Sequence, residues 1–367
     1  LLTLADGGNA TFAGTINGVG IKAGVSNFAT SILISSDGST GTLSSASSNT
    51  GLGDSVFAAL TSGTNNTAIG NAAMAANTTG SLNTAIGNGA FDTNTTGSSN
   101  VAVGDRALTA NTTADDNTAV GSLALTANTT GTNNTALGKS ALATNTTGSQ
   151  NVSVGTFSLD ANTTASANTG VGYASLTSNT TGTQNVALGT SALFNNTTAS
   201  NNTAVGYQGL KGNTTGNDNV SVGTNSLFAN TTGSDNTALG MSALNANTTA
   251  DNNVAVGYHA LLSNTTGSEN TAVGSLALDA NSTGANNVAM GHGALSGNTT
   301  ASNNTALGFF SLLANTTGAD NTAVGKGALD ANTTADNNTA VGTNSLGANT
   351  TAGSNTAMGS SSLATNT

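Results

Sequence analysis

Cysteine, proline and tryptophan do not occur in this chain of 367 residues, and charged side chains make up only 6% of it. Without cysteine there is no disulfide staple and no thiolate–zinc site, and the redox compartment stays open. A globular domain of this size ordinarily carries about a quarter charged residues, so the composition is not that of a conventional enzyme. Proton transfer, covalent attack and metal binding draw mainly on His, Cys, Lys, Asp and Glu. Two His and five Lys plus Arg are present, too few for a conventional active site, and the expectation is no catalytic residue, no cofactor and no bound metal. Acids outnumber bases 16 to 5, for a formal net charge of −11. A nucleic-acid groove or an anionic membrane surface needs clustered cations, so neither is an expected partner. No apolar run reaches the ~18–20 residues of a membrane span, which argues against membrane insertion.

What remains is rich in Asn, Thr, Ser, Gly and Ala, with 3% aromatics, a balance that taken alone describes a disordered, low-complexity chain. Periodicity overturns that description. A glycine recurs every 17 residues from Gly53 to Gly359, marking 19 copies with no insertion. With this Gly as position 0, the consensus is G-x-x-A-L-x-x-N-T-T-G-x-x-N-T-A-V. In one representative copy the fixed columns are Gly104, Leu108 at position 4, Asn111 at position 7, Asn117 at position 13 and Val120 at position 16. Position 4 is Phe57, Met74 and Phe91 in the first copies and Leu afterwards. A fixed period of this length denotes stacked supersecondary units, here residues 49–367, with residues 1–48 as an N-terminal cap or junction. Within that junction, Ala10 to Ile21 alternates as a strand does. The last copy breaks off at Asn366-Thr367 without a polar capping coil, and since solenoids need capped ends, continuation of the chain or stacking of another subunit is expected there.

No i, i+3, i+4, i+7 apolar stripe exists within a copy, and Gly and Asn-Thr-Thr interrupt every few residues, which excludes an amphipathic helix. N-T-A-V-G shows the period of a strand: position 16 is always aliphatic, position 14 is Thr or Val, and the small residue between them faces the other way. A second strand is expected through A-L-x-x-N-T with Leu inward. The fold class is therefore all-β, a parallel β-solenoid or β-roll of about 19 coils with two short strands each. At ~4.8 Å per coil it would extend roughly 85–90 Å. Position 14 is expected to face inward, because Val replaces Thr there in six copies and charge never appears; Val186→Asp should then unfold its neighbours while Asp at Ser149 is silent. The Asn columns are expected to form turns and to bond coil to coil through their amides. The Gly column should supply positive φ or close backbone approach at a corner.

The copies N-T-A-V-G-x-x-A-L-x-x-N-T-T-G resemble repeats of bacteriophage tail fibres and bacterial surface fibres, and Ala10 to Ile21 resembles the segment that often precedes them. The half-copy N-x-A-V-G is similar to the YadA-like head of trimeric autotransporter adhesins. That resemblance implies a left-handed roll, three chains per fibre and an extracellular or virion-surface location, with a structural or adhesive role and no catalytic residues. The 17-residue length and the N-T-T segment depart from the adhesin head.

Recognition is sought in the variable columns. Positions 1 and 2 hold Tyr173, Tyr207, Tyr258, His259, His292, Phe157, Phe309 and Phe310, with Arg106, Lys139 and Lys326. This corner is a solvent-facing edge, a subunit interface, or a contact edge for a cell-surface glycan or a neighbouring fibre. Half the acids lie at positions 11 and 12 and read as a solvated turn, since the Gly-Gly-x-Gly-x-Asp pattern of calcium rolls is absent. His259 and His292 stand two coils apart, too far to share a metal alone. Asn-Thr-Thr is formally a glycosylation sequon, but bacterial and viral fibres usually lack that machinery and a turn is the favoured account. Each coil buries about two aliphatic side chains, worth ~1.5–3 kcal/mol each, against ~1–2 kcal/mol per ordered residue. A homo-oligomer, a trimer or stacked fibre, is thus expected. Alternatives to the fibre are an ice-binding solenoid with an outward Asn-x-Thr array at positions 7 and 9, and a polysaccharide-binding or polysaccharide-degrading fibre; for degradation the clustered carboxylate pair is lacking.

Overall fold

Thr, Val and the aliphatic residues of N-T-A-V favour extended backbone, and every complete copy contributes one three-residue strand at positions 14–16. The computed structural model describes residues 14–16, 19–23, 27–35 and 40–366. Its strands are β1 (Gly14–Ile16), β2 (Val19–Ala23), β3 (Phe28–Ala29), β4 (Ile32–Ser35), β5 (Ala46–Ser47) and β6 (Thr50–Leu52). One strand per copy then follows, from β7 (Thr67–Ile69) through β13 (Thr169–Val171) and β14 (Val186–Leu188) to β24 (Thr356–Met358). The described residues contain no helix, hence none long and apolar enough to cross a membrane. Two units are distinguished, Leu1–Thr181 and Gly182–Thr367. Within each, successive strands pair in parallel with like on like, as in Thr118↔Thr135, Ala119↔Ala136 and Val120↔Leu137 or Thr271↔Val288, Ala272↔Ala289 and Val273↔Met290. The molecule is a parallel β-solenoid with a 17-residue coil.

In the first unit the parallel ladder starts before residue 49, because β4 pairs with β6 in register Ile32↔Thr50. On its other side β4 meets β2 antiparallel, and β2 meets β1 antiparallel. Of the alternating stretch Ala10 to Ile21, residues 10–13, 17 and 18 lie outside the described residues.

The facing of the strand corrects the sequence-based expectation. The strand does alternate, but Ala at position 15 is the inward residue: Ala119 and Ala187 are fully buried, while Val186 is 37% exposed. Positions 14 and 16 both face outward. Inside each coil lie Ala at positions 3 and 15, Leu at 4, Gly or Ala at 10, and Asn at 7 and 13. One large aliphatic side chain per coil is buried, not two. Where Ser enters the core it bonds to another Ser, as Ser158 and Ser175 do at 2.9 Å between their Oγ atoms, or to a backbone carbonyl, as Ser311 Oγ does to Gly308 O at 3.0 Å.

The Asn columns hold the coils together as expected. Asn128 donates Nδ2 to Asn111 Oδ1 at 3.0 Å, and Asn111 donates to Asn94 Oδ1 at 3.1 Å and to Ala114 O at 3.1 Å. In the second column Asn134 donates Nδ2 to Asn117 Oδ1 at 3.2 Å and to Gly148 O at 2.9 Å. These amides are fully buried and bonded, so they escape the ~1–3 kcal/mol cost of an unsatisfied group.

No second strand forms. Positions 2, 4 and 12 take left-handed φ, for example Arg106 at 51°, Leu108 at 55° and Asp116 at 59°, which breaks the extended run through A-L. Asn at positions 7 and 13 is not among the positive-φ residues. The coil-to-coil hydrogen bonds continue regardless: Arg106 N donates to Asn88 O at 2.9 Å, Leu108 N to Ala124 O at 3.0 Å and Ala110 N to Thr126 O at 3.0 Å. Gly104 has φ 136°, and a Cβ there would stand 2.6 Å from the carbonyl of Gly121, so the position-0 glycine answers to both expected reasons.

Because Ala187 is buried and Val186 is not, Ala187→Asp should cost at least ~3 kcal/mol in urea unfolding, whereas Val186→Asp should cost under ~1 kcal/mol. Equal losses would return position 14 to the interior.

Candidate functional site

The corner at positions 1 and 2 follows the turn made by the position-0 Gly, and its position-1 side chains project into solvent. Tyr173 is 56% exposed, Tyr207 52%, Tyr258 45% and Phe309 46%; His259 and Phe310 are half-buried. The structure does not gather them into one site. In the first unit Phe157 meets Tyr173 edge to face at 6.3 Å between ring centroids. In the second unit Tyr258 stacks on His259 at 3.7 Å, and a separate group joins three consecutive copies. There His292 stacks on Phe309 at 5.5 Å and meets Phe310 edge-on at 5.3 Å, and Phe309 lies 4.0 Å from Phe310. Lys326 Nζ stands 6.0 Å from the centroid of Phe309.

Stacking at one coil spacing turns aromatic residues of one column toward each other. Phe309 therefore has His292 against one face and the Lys326 ammonium near the ring, which leaves its edge for a partner. Tyr207 differs, because its column neighbours are Thr190 and Thr224. Phe310 fits only because Gly293 lies beneath it: a Cβ on Gly293 would stand 2.5 Å from the Phe310 ring. A second cationic contact sits at position 5, where Lys211 Nζ lies 5.9 Å from Phe194 and 5.6 Å from Phe228. Single-column reading had not singled it out, since only the stacking of three copies creates it.

The acids are dispersed, and several have structural duties. At position 11, Asp115, Asp251 and Asp336 each accept the backbone N–H of the preceding copy at 2.7 Å, the same task Ser149 performs for Thr132 N at 3.0 Å. Asn88 donates to Asp105 and, with the neighbouring Arg106 at 3.3 Å, holds that carboxyl below its usual pKa. Partial burial pushes Asp92 and Asp330 up. Among the described residues no group of three or more His, Asp or Glu is placed to hold a metal ion. His259 and His292 each pack against aromatic rings of their own group.

The alternative of an outward Asn at position 7 is overturned here. This Asn is fully buried in copy after copy, from Asn77 to Asn349. An outward Asn-x-Thr array consequently does not exist, and the Asn of each Asn-Thr-Thr is enclosed with its amide nitrogen already bonded, as for Asn145 to Asn128 Oδ1 at 2.9 Å.

The surface that sequence reasoning missed is the outer face of the strands. Its columns are Thr or Val at position 14 and Val, Ile, Leu or Met at position 16, with no charged residue in any copy. Leu137 is 46% exposed, Leu188 43% and Met290 45%. The signal was present as the absence of charge, but an aliphatic column was assigned to the core. Comparison with protein-family models, with curated proteins and with solved structures finds no match.

Two outcomes test this geometry. Gly293→Ala should destabilise the protein by about 1 kcal/mol more than it does in a Phe310→Ser background; a double-mutant cycle with no coupling would show that the ring does not rest on Gly293. Asp330, with its pKa raised on folding, contributes stability that is complete below the ordinary Asp range and lost as pH rises through the raised value. The urea midpoint of Asp330→Asn should therefore fall less than that of the wild type between acidic and neutral pH.

Proposed function

We propose that this chain is a structural element of an extracellular or virion-surface fibre, a rigid repeat-built spacer with an attachment edge, and not an enzyme. The observation that carries the reading is where the polar chemistry goes. The buried amides and many Thr and Ser hydroxyls bind one copy to the next, while no Asp, Glu, Lys, Arg or His is among the buried side chains of the described residues. Such an arrangement suits mechanical continuity. Repetition of one unit in one register is also how a chain gains length without a larger core. The N-T-A-V-G resemblance to tail-fibre and adhesin repeats points the same way, as does the fibre's implied partner, further copies of itself.

The attachment edge in this reading is the corner bearing Tyr173, Tyr207, Tyr258, His259, Phe309 and Phe310. Rings present rigid contact area at low entropic cost, and of these residues Tyr207 has the freest faces. A cell-surface glycan is the partner that such a ring suits. The full chain should scatter X-rays as an elongated particle, and Tyr173, Tyr207 and Tyr258 replaced together by Ser should leave Tm unchanged while reducing retention on immobilised cell-surface polysaccharide at least tenfold. A rounded particle would end the spacer reading; unchanged retention would remove the tyrosines from the edge.

A further inference from the structure

We propose that the charge-free outer face of the strands in the second unit docks against the same face of a second copy of this chain; this rests on the fibre reading and names its assembly surface. The face runs over β14 to β24, eleven strands whose outward side chains are Thr or Val at position 14 and Val, Leu or Met at position 16. Val222 is 38% exposed, Leu239 36%, Met290 45% and Met358 73%.

Three features select a second copy as the occupant. The chain carries a net charge of −11, and copies of it repel wherever their acids face each other. The acids of the second unit lie at positions 5, 11 and 12, as in Asp279, Asp251 and Asp235, so positions 14–16 form a surface on which two copies can meet without opposing charge, and its exposed aliphatic side chains set it apart from the equally uncharged Thr columns at positions 8 and 9. Area comes next. Eleven strands at ~4.8 Å, each about 10 Å wide, offer roughly 500 Å² per copy and about 1,000 Å² for the pair, which reaches the size at which specific interfaces begin. Commensurability is the third. Positions 14 and 16 make two parallel ridges, separated by about 6.6 Å along the strand and repeating at ~4.8 Å along the stack. An identical face has the same repeat, so the ridges of one copy seat in the groove of the other along its full extent, as interdigitated sheets do in dry cross-β contacts. A partner without that period would match at one coil and clash a few coils on.

The test uses the full chain. Val220→Lys with Val254→Lys places two charges on the face, and Thr232→Lys with Thr266→Lys places two on the exposed position-9 column as a control. Sedimentation equilibrium should show self-association of the wild type at about 10 µM, at least 100-fold weaker association of the valine variant, and wild-type association of the control. Circular dichroism should be the same for all three. Wild-type chain that remains monomeric at 100 µM, or equal weakening by both variants, would overturn the proposal. An elongated monomer in small-angle scattering would then leave the spacer reading standing, whereas a rounded one would remove both. Thermal hysteresis by a monomeric wild type would assign the face to ice and likewise overturn docking.

Discussion

A side chain buried in a parallel, in-register stack has its own column for neighbours above and below. Every interior residue must therefore be compatible with a copy of itself displaced by about 4.8 Å along the stack. Leu108 and Ala119 meet the condition by being apolar. Asn111 and Asn117 meet it because an amide carries donor and acceptor together, so the Nδ2 of one coil finds the Oδ1 of another. Ser158 and Ser175 meet it through hydroxyls. A carboxylate or ammonium in such a column would face its own charge at close range, and none is buried among the described residues. The low charge and the abundance of Asn, Thr, Ser and Ala follow from this translational self-complementarity more than from disorder.

The same condition relaxes what the backbone must do. Stacking requires that N–H groups along the coil reach carbonyls in an adjacent coil, and the bonds from Arg106 N, Leu108 N and Ala110 N do so without extended dihedrals. Positions 2 and 4 bend the chain through left-handed φ at roughly 1–2 kcal/mol per non-glycine residue, and the bend places Leu108 in the interior. One strand per coil suffices because the remainder is hydrogen-bonded as turns.

Stacking also shapes the surface. Rings in one column lie against each other, so Phe309 gives its face to His292 and only solitary rings such as Tyr207 keep theirs. The outward strand positions gain the opposite property. Thr and Val at position 14 are nearly isosteric, and either can line a flat neutral face whose regularity exceeds that of any single site on the chain.

The sequence by itself determined the period, the coil count, the parallel order and the role of the fixed Gly and Asn columns, because each is a property of one residue repeated and translation maps it onto its own copy. It also exposed the corner at positions 1 and 2, where side chains vary. Facing was decided only in the tertiary structure. N-T-A-V alternates whichever side is interior, and the pattern alone ranked Val186 above Ala187 for burial by its larger apolar area. In the folded coil the space beside the strand is already filled by positions 3 and 4, where a Cβ on Gly170 would stand 2.6 Å from Ser158 Oγ and 3.4 Å from Leu159 Cδ1, so the inward slot takes Ala, Ser or Gly. Burial of Asn77 to Asn349 and the division of the aromatic corner into separate groups were hidden for the same reason: each depends on what the adjacent coil places there.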